Sequence, residues 1–408
     1  MKVRMKWTIG VMVVIAMAIF PLLLALPAGA QAPANAPPQA AVEKPPVVGS
    51  DLGLAGKIGS AIKDAPMGKG KGQIDPNAPK GVFGIPGAPQ VNYILAVLWA
   101  TWVGWIFSTV GAFGGVMAGV GHMSVYGLGD YARTFKDTVP ALNKTLTDSI
   151  RTSNQWLVGL SSILSVINYL KSKRMSWPLG LALGAGSIVG AFTAASLSGG
   201  KVSFSEYQGW FGFFVLVVAG FLIYETTPRG QASKKAAKAA SQAFEQTVKE
   251  KGDVCALGVC AKDWGITKST FTFFGSEFSF NPIAAFFGGV VIAAISAFIG
   301  VGGGFLYVPY LTTFVGLPMY IVAGTSALAV LISMITSITT YIQLAGAGMD
   351  WGLVGIQLVG VFIGSMVGPR TQKYIPDIWL KRLFIVAALY VGIGYFTKGF
   401  FGQAWVPM

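Results

Sequence analysis

Charge is scarce in this chain of 408 residues, of which only 11% are Asp, Glu, Lys or Arg and 53% are hydrophobic. A soluble domain usually carries about 25% charged residues, so an ordinary soluble fold is disfavoured. Histidine occurs once, as His122, and cysteine twice, as Cys255 and Cys260. These residues do not supply a zinc ligand set. No nucleotide-binding loop, HExxH or GxSxG signature is present either, so no metal, cofactor or catalytic residue is expected.

The net charge of +14 does not by itself indicate nucleic-acid binding, because the basic residues occur in short clusters between apolar runs. Membrane proteins distribute Lys and Arg in this way, with the clusters in loops that stay on the cytoplasmic side. The charge therefore favours a membrane protein, and nucleic acid is not expected as a partner.

The first 90 residues divide into two segments. Residues 1–30 combine a basic start, an apolar stretch and a small-residue end, which is typical of a secretory signal peptide or an uncleaved anchor helix. Residues 31–90 are rich in Pro, Ala and Gly, and most of this segment is predicted to be disordered or loosely packed outside the cytoplasm. Residues 52–62 are compatible with a short amphipathic helix on the membrane, although a flexible tether is favoured.

Eight apolar segments are long enough to cross the hydrocarbon layer, which takes about 17–25 residues in a helix. They are predicted at 92–108, 153–170, 177–198, 208–224, 282–299, 322–344, 351–368 and 378–397. The polar segment 227–280 is predicted to be a cytoplasmic linker with a soluble helix. It divides the membrane region into residues 91–226 and residues 281–408.

The two groups of four segments share a glycine cluster, a Thr-Ser pair and a tryptophan followed by two glycines. The matched residues are Gly111, Gly114 and Gly115 with Gly300, Gly303 and Gly304; Thr152-Ser153 with Thr325-Ser326; and Trp177, Gly186 and Gly190 with Trp351, Gly360 and Gly364. Their common order indicates an internal duplication. The four-residue spacing of the last glycines indicates close helix packing.

Positive charge selects the topology of the duplicated segments. If both glycine-broken segments crossed the membrane, the basic clusters at 171–174 and after 228 would lie outside, against the positive-inside rule. If each broken segment is a re-entrant hairpin, both clusters lie inside. The prediction is an all-α polytopic membrane protein of two inverted repeats, each a glycine-broken re-entrant hairpin plus three transmembrane helices. Residues 120–152, which include Arg151, are then expected to form an outer loop.

Helices that are broken inside a membrane bundle indicate a binding site, because lipid tolerates free backbone groups only where protein or a cavity covers them. Backbone N–H groups at glycine turns attract anions. Thr and Ser hydroxyls at helix starts can donate to an oxyanion or cap the helix. The candidate substrate-binding residues are Gly302, Gly303, Gly304, Thr325 and Ser326, with Gly114, Gly115, Thr152 and Ser153 from the other repeat. The alternative is that these glycines only pack helices.

Three further residues carry weaker expectations. Asp350 precedes Trp351 and is expected to complement a helix N-terminus. Tyr341 is expected either to line the pathway or to belong to the membrane interface, and His122 is expected in a loop. No acidic residue is expected in the middle of a span, so a relay of buried carboxylates is not predicted.

The segment GVGGGFLYVPYL at 300–311, followed by GLP, AGTSA, Tyr341, Asp350-Trp351 and a glycine-spaced helix, resembles the TauE/SafE sulfite exporter family of membrane permeases. The resemblance is strong over 283–398 and weaker over 92–226, where Phe113 stands at the position of Gly302. It implies two inverted repeats whose first segments are re-entrant. It also implies small sulfur-containing anions as substrates, bound at the candidate residues named above.

We therefore expect a multi-pass transporter that exports sulfite or organosulfonates across the inner membrane. Its expected partners are the small anionic solute and the lipid bilayer, with a homo-oligomer left open. Two alternatives remain: a carrier of another small anion, and a non-transporting scaffold that holds partners through residues 31–90 and the linker. A membrane enzyme ranks third, because clustered His, Cys or acidic residues are almost lacking.

Overall fold

The structure of the protein is a computed structural model that describes residue 54, residues 56–228 and residues 259–407, except 111–112, 172, 174, 274–275, 318 and 373–376. The predicted signal segment, residues 31–53, Gly111, the predicted linker helix and Cys255 lie outside the described residues.

Twelve α-helices and one small sheet form the described part of the chain. The helices are α1 (Gly56–Lys63), α2 (Tyr93–Val110), α3 (Phe113–Val120), α4 (Leu128–Thr134), α5 (Pro140–Lys171), α6 (Trp177–Ser198), α7 (Phe204–Thr226), α8 (Pro282–Ile299), α9 (Gly304–Pro309), α10 (Met319–Gln343), α11 (Trp351–Gln372) and α12 (Asp377–Phe400). Helices α2–α7 are called the first half below, and α8–α12 the second half. π-Helical turns follow α3, at Gly121–Val125, and α9, at Tyr310–Phe314.

Five of the described helices are long and apolar enough to cross a membrane. They are α6, α7 over Phe204–Tyr224, α8, α10 over Ile321–Gln343 and α11 over Trp351–Gly368. Helices α6 and α8 have the bounds that the sequence predicts, and α2 and α12 contain shorter apolar stretches near the predicted positions. The described residues therefore form a mainly helical, polytopic membrane protein.

The prediction of a loop over 120–152 is wrong. This region contains a π-helical turn, α4 and the first turns of α5, which begins at Pro140 rather than near residue 153. Hydropathy misleads here because the polar side chains are buried and paired. Asn143 donates to the Ala132 carbonyl over 2.7 Å and accepts from the Phe204 N–H over 3.0 Å. A helix can bury such side chains when protein, and not lipid, supplies their partners.

The prediction of disorder is wrong for residues 56–90. Helix α1 overlaps the amphipathic stretch 52–62, and its Ile58 and Ile62 are buried in the core beside α5. Ile74 and Ile85 are buried too, and the Phe83 N–H donates to the Asp350 carboxylate over 2.8 Å. Composition does not predict this ordered structure, because a few apolar side chains are enough to hold a segment in place when a neighbouring surface of the protein covers them.

A three-stranded antiparallel sheet precedes α8, so the expectation of a purely α-helical chain needs correction. The strands are β1 (Cys260–Trp264), β2 (Ser269–Phe273) and β3 (Ser276–Phe280), in that order. In β2 the sequence STFTF alternates, and Phe271 is buried and stacks on Phe278 with ring centres 5.7 Å apart. This period-2 signal is typical of a strand, but it is short and lies in a segment that otherwise reads as a linker.

Helices of the two halves pack crosswise. Helix α6 of the first half packs against α8, the first helix of the second half. Helix α11 of the second half likewise packs against α2, the first helix of the first half. Glycines bring the backbones together at both crossings: a Cβ on Gly190 would lie 2.0 Å from the Val290 carbonyl oxygen, and one on Gly364 would lie 1.9 Å from that of Thr101. The packing role predicted for these glycines is confirmed. Helix α5 packs on α10, and α7 packs on α12.

Candidate functional site

Buried polar side chains lie along the two helices that pack on each other, α5 and α10. On α5 they include Asp148, Arg151, Thr152, Ser153, Asn154, Gln155, Ser161 and Ser162. On α10, Ser333, Ser337 and Tyr341 are buried and recur every four residues, so they lie on one helix face. Polar residues inside a membrane bundle are costly, and they mark substrate or ion pathways. The polar residues of α5 and α10 therefore define the candidate site.

Arg151 is the charged centre of this region and is fully buried, with 0% of its surface exposed. Its Nη1 donates to Asp148 Oδ1 over 3.2 Å, to the Tyr341 hydroxyl over 3.2 Å and to Ser198 Oγ over 3.4 Å. Sequence reasoning missed this residue because it assigned residues 120–152 to a loop. An arginine immediately before the Thr152-Ser153 pair was the available signal.

The other edge of the same guanidinium has no hydrogen-bond partner among the described residues. Nε and Nη2 of Arg151 are both buried, and neither meets an acceptor within the described residues. Aromatic rings enclose the group instead, with ring centres 4.7 Å away at Tyr207 and 4.9 Å away at Phe298. A buried donor without a partner costs about 1–3 kcal/mol, and more when it is charged. This edge is therefore disposed to take an acceptor.

Asp148 is the counter-ion of Arg151 and lies one helical turn before it. Besides the contact with Arg151, its Oδ2 accepts from the Gly200 N–H over 2.6 Å. Gly200 follows the end of α6, so Asp148 connects α5 to that helix end. The polar contacts around Arg151 continue at Tyr341, whose hydroxyl lies 2.8 Å from Ser198 Oγ.

The second glycine cluster adjoins Arg151. Helix α8 ends at Ile299, and Gly300 and Gly302 have φ of +76° and +78°, a conformation that glycine adopts without strain. A Cβ on Gly300 would lie 3.1–3.2 Å from the Arg151 backbone. The Tyr207 hydroxyl donates to the Ile299 carbonyl over 2.9 Å. The chain between α8 and α9 thus passes directly beside the buried cation.

The first glycine cluster meets the second at one point. A Cβ on Gly115 would lie 1.8 Å from the Val301 carbonyl oxygen, whereas one on Gly114 would meet Phe107 of the neighbouring helix α2 at 2.6 Å. Gly302 faces Val158. The last two candidate glycines differ in the space beside their Cα atoms. Gly303 is packed against Tyr307 and Ile292, whereas a Cβ on Gly304 would meet no described atom within 4 Å.

The prediction that the Thr-Ser pairs lie at helix starts is wrong. Thr152 and Ser153 lie within α5, and Thr325 and Ser326 lie within α10. The Thr152 hydroxyl donates to the Asp148 carbonyl over 2.8 Å, and that of Ser326 donates to the Ala323 carbonyl over 3.1 Å. The helices extend further toward their N-termini than hydropathy indicates, so these hydroxyls bond within their own helix.

Thr325 differs from its neighbours because its Oγ1 accepts from the Ser176 N–H over 3.1 Å. Ser176 immediately precedes α6, so the second half of the chain supports the start of a first-half helix. The Thr325 hydroxyl proton is not used in this bond and stays available as a donor.

Tyr341 and Asp350 occupy two different kinds of environment. Tyr341 is fully buried and contacts Arg151, so the alternative that it belongs to the membrane interface is wrong. The prediction for Asp350 is confirmed, because its Oδ1 accepts from the Leu353 N–H over 2.9 Å at the start of α11.

The loop predicted for His122 is also wrong. His122 lies in the π-helical turn after α3 and is 1% exposed. Its Nδ1 lies 2.6 Å from Asn154 Oδ1, and its Nε2 lies 3.1 Å from Gln357 Oε1. The histidine therefore joins α3 to α5 and α11 through side-chain hydrogen bonds.

Comparison with known proteins agrees with this architecture. The model of the sulfite exporter TauE/SafE family matches residues 96–395, which include nearly all of both halves and the whole of α5 with Arg151. No curated protein and no solved structure matches the chain. Members of the family are membrane permeases, and the five apolar helices fit a multi-pass membrane protein. The match covers well over half of the sequence, and the chain belongs to the sulfite exporter TauE/SafE family.

Proposed function

We propose that the protein is a secondary transporter that exports small sulfur-containing anions, such as sulfite or organosulfonates, across the inner membrane. Family membership supports the transport function. The observation that carries the site assignment is the contact of Gly115 with the Val301 carbonyl, because it joins the two glycine clusters inside the bundle. A solute held at one cluster would therefore lie close to the other.

The anion would bind through backbone N–H groups of Gly302, Gly303 and Gly304, with Gly114 and Gly115 opposite. Gly304 is the best placed of these, since the space beside its Cα is open. Among the hydroxyl groups of Thr152, Ser153, Thr325 and Ser326, that of Thr325 is the best suited, because it accepts one backbone bond and keeps its proton. The Thr152 and Ser326 protons already bond to backbone carbonyls.

The two halves are proposed to be inverted repeats, each with a re-entrant first segment. Crosswise packing supports this arrangement: α6 packs on α8 as α11 packs on α2, while α5–α10 and α7–α12 are contacts between equivalent helices. A two-fold pseudo-axis through the bundle would produce this set of contacts. Transport would then proceed by movement of one half against the other around the shared site, as is general for inverted-repeat carriers.

Transport into proteoliposomes tests the proposal, with radiolabelled sulfite as substrate. We expect uptake by the wild type, and loss of uptake in Gly304→Leu, because the leucine side chain would fill the open space at the site. The matched control is Gly220→Leu on α7, whose added Cβ also meets no described atom within 4 Å. It should keep wild-type uptake.

Two results would count against this function. A folded wild type that moves neither sulfite nor an organosulfonate nor thiosulfate would remove the sulfur-anion assignment. Equal uptake by Gly304→Leu and Gly220→Leu would leave transport standing but remove the glycine cluster as its site.

A further inference from the structure

Arg151 combines complete burial with a half-used guanidinium group. Nη1 makes all three hydrogen bonds of the side chain, to Asp148, Tyr341 and Ser198. Nε and Nη2 form the opposite edge and are buried without an acceptor in the described residues. We propose that this edge binds the charged group of the transported anion, and that Asp148 is the internal counter-ion with which the anion competes. The inference rests on the proposed transport function and specifies its substrate class.

The geometry of the free edge defines that class. The Nε–H and the neighbouring Nη2–H of a guanidinium point in parallel and pair with two oxygens of one group. Sulfite, sulfonates and carboxylates present two such oxygens. A halide or a thiolate offers a single acceptor atom, so its bonds to the two parallel donors are bent and therefore weaker. Arg151 therefore selects for oxyanions, beyond a general preference for negative charge.

The surroundings of Arg151 place the anion between the two halves. Tyr207 and Ser198 come from the first half, and Phe298 and Tyr341 come from the second. The Tyr207 hydroxyl is bonded to the Ile299 carbonyl at the end of α8. An anion on Arg151 would thus contact both halves at the point where α8 gives way to the glycine cluster.

Substitution of Asp148 is expected to have the opposite effect to substitution of Arg151. Its carboxylate contacts Nη1 at 3.2 Å and is 1% exposed. Negative charge so close to the free edge weakens anion binding, because like charges repel strongly in a poorly solvated interior. Removing that charge while keeping the side-chain shape, as in Asp148→Asn, should strengthen anion binding.

The experiment measures KM for radiolabelled sulfite in proteoliposomes for four variants. Arg151→Gln should raise KM roughly 10- to 100-fold, since one or two charge-assisted hydrogen bonds are lost. Arg151→Lys should lie in between, because a lysine keeps the charge but cannot form the paired bonds. Asp148→Asn should lower KM. The control Arg133→Gln, which removes a charge from α4 beside Phe204 and Gln208, should keep the wild-type KM.

A purely structural ion pair would behave differently. Both Arg151→Gln and Asp148→Asn would then reduce the amount of folded protein, and neither would change KM in the folded fraction. An unchanged KM in Arg151→Gln or Arg151→Lys, or a raised KM in Asp148→Asn, overturns the proposal. If Arg151→Gln does not fold, the KM values of Arg151→Lys and Asp148→Asn still test the proposal.

Calorimetric titration of the purified protein with sulfite separates this inference from the proposed function. Transport by the wild type with no effect of Arg151 substitutions rejects the inference alone. If the wild type binds sulfite but transports nothing, and Arg151→Gln abolishes that binding, only the transport function is rejected. Absence of both binding and transport in the wild type rejects both.

Discussion

Helices α5 and α10 each contain a Thr-Ser pair and pack on each other, yet they differ in what they bury. Helix α5 has 32 residues and buries an ion pair, Asp148 with Arg151. Helix α10 has 25 residues and buries hydroxyl groups at Ser333, Ser337 and Tyr341. The shared Thr-Ser pair marks their common pattern, but charge is present on one helix only. The difference teaches that the two helices contribute unequally to the surroundings of the buried charge: α5 supplies the cation, and α10 supplies one of the hydroxyl groups bonded to it, that of Tyr341.

The largest expected effect comes from separating the ion pair on α5. Arg151→Met or Asp148→Leu alone leaves one buried charge without its partner, which generally destabilises a protein by about 3–5 kcal/mol. The double variant should recover much of that loss. Thermal unfolding of the two single variants and the double variant forms a complete cycle. Additive losses would show that the two side chains do not interact.

The glycine crossings should respond equally in the two halves. Gly190→Ala and Gly364→Ala each place a Cβ about 2 Å from a carbonyl oxygen, so each should cost about 1–3 kcal/mol through overpacking. Gly220→Ala, which meets open space, serves as control and should not destabilise. Unfolding in denaturant measures all three. A large loss at one crossing with none at the other would contradict equivalent packing of the halves.

Hydroxyl groups allow a finer comparison. Ser187 on α6 lies 2.6 Å from the buried Tyr307 hydroxyl, so Ser187→Ala should cost about 1–3 kcal/mol by leaving that hydroxyl unpaired. Ser333 and Ser337 on α10 have no partner within the described residues. Ser333→Ala and Ser337→Ala should therefore leave stability nearly unchanged. A substantial loss of melting temperature in either α10 variant would reveal a contact that this account lacks.

The smallest effect is expected at the equivalent starts of α6 and α11. Asp350 caps α11 through the Leu353 N–H, whereas the Ser176 side chain makes no capping bond before α6. Asp350→Ala should cost about 1 kcal/mol, plus the contact with the Phe83 N–H. Ser176→Ala should cost almost nothing. Asp350→Asn keeps one of the two acceptor oxygens and loses the other, so it should lie between the wild type and Asp350→Ala when melting temperatures are compared.

The apolar helices and their glycine contacts are predictable from the sequence because they depend on local patterns. Hydropathy alone gives the bounds of α6 and α8, and a four-residue spacing identifies Gly190 and Gly364 as packing residues. The cap at Asp350 follows from its position before Trp351. In each case the residue and its immediate neighbours carry the necessary information.

The charged centre is not predictable in the same way, because its burial depends on distant parts of the chain. Arg151 is buried by Tyr207, Phe298 and Tyr341, which come from three other helices. Hydropathy counts Asp148 and Arg151 against a membrane helix, although they pair with each other in the interior. Order in residues 56–90 is missed for a similar reason, since Ile58 and Ile62 are buried against distant parts of the chain, which include α5 and the segment around Gly348.

Competition between anions for sulfite uptake tests the central claim most directly. In proteoliposomes that contain the wild type, this account predicts that methanesulfonate inhibits uptake of radiolabelled sulfite and that chloride at the same concentration does not. The Arg151→Lys variant should lose much of that discrimination. Equal inhibition by chloride and methanesulfonate in the wild type would contradict an oxyanion site built on the free edge of Arg151.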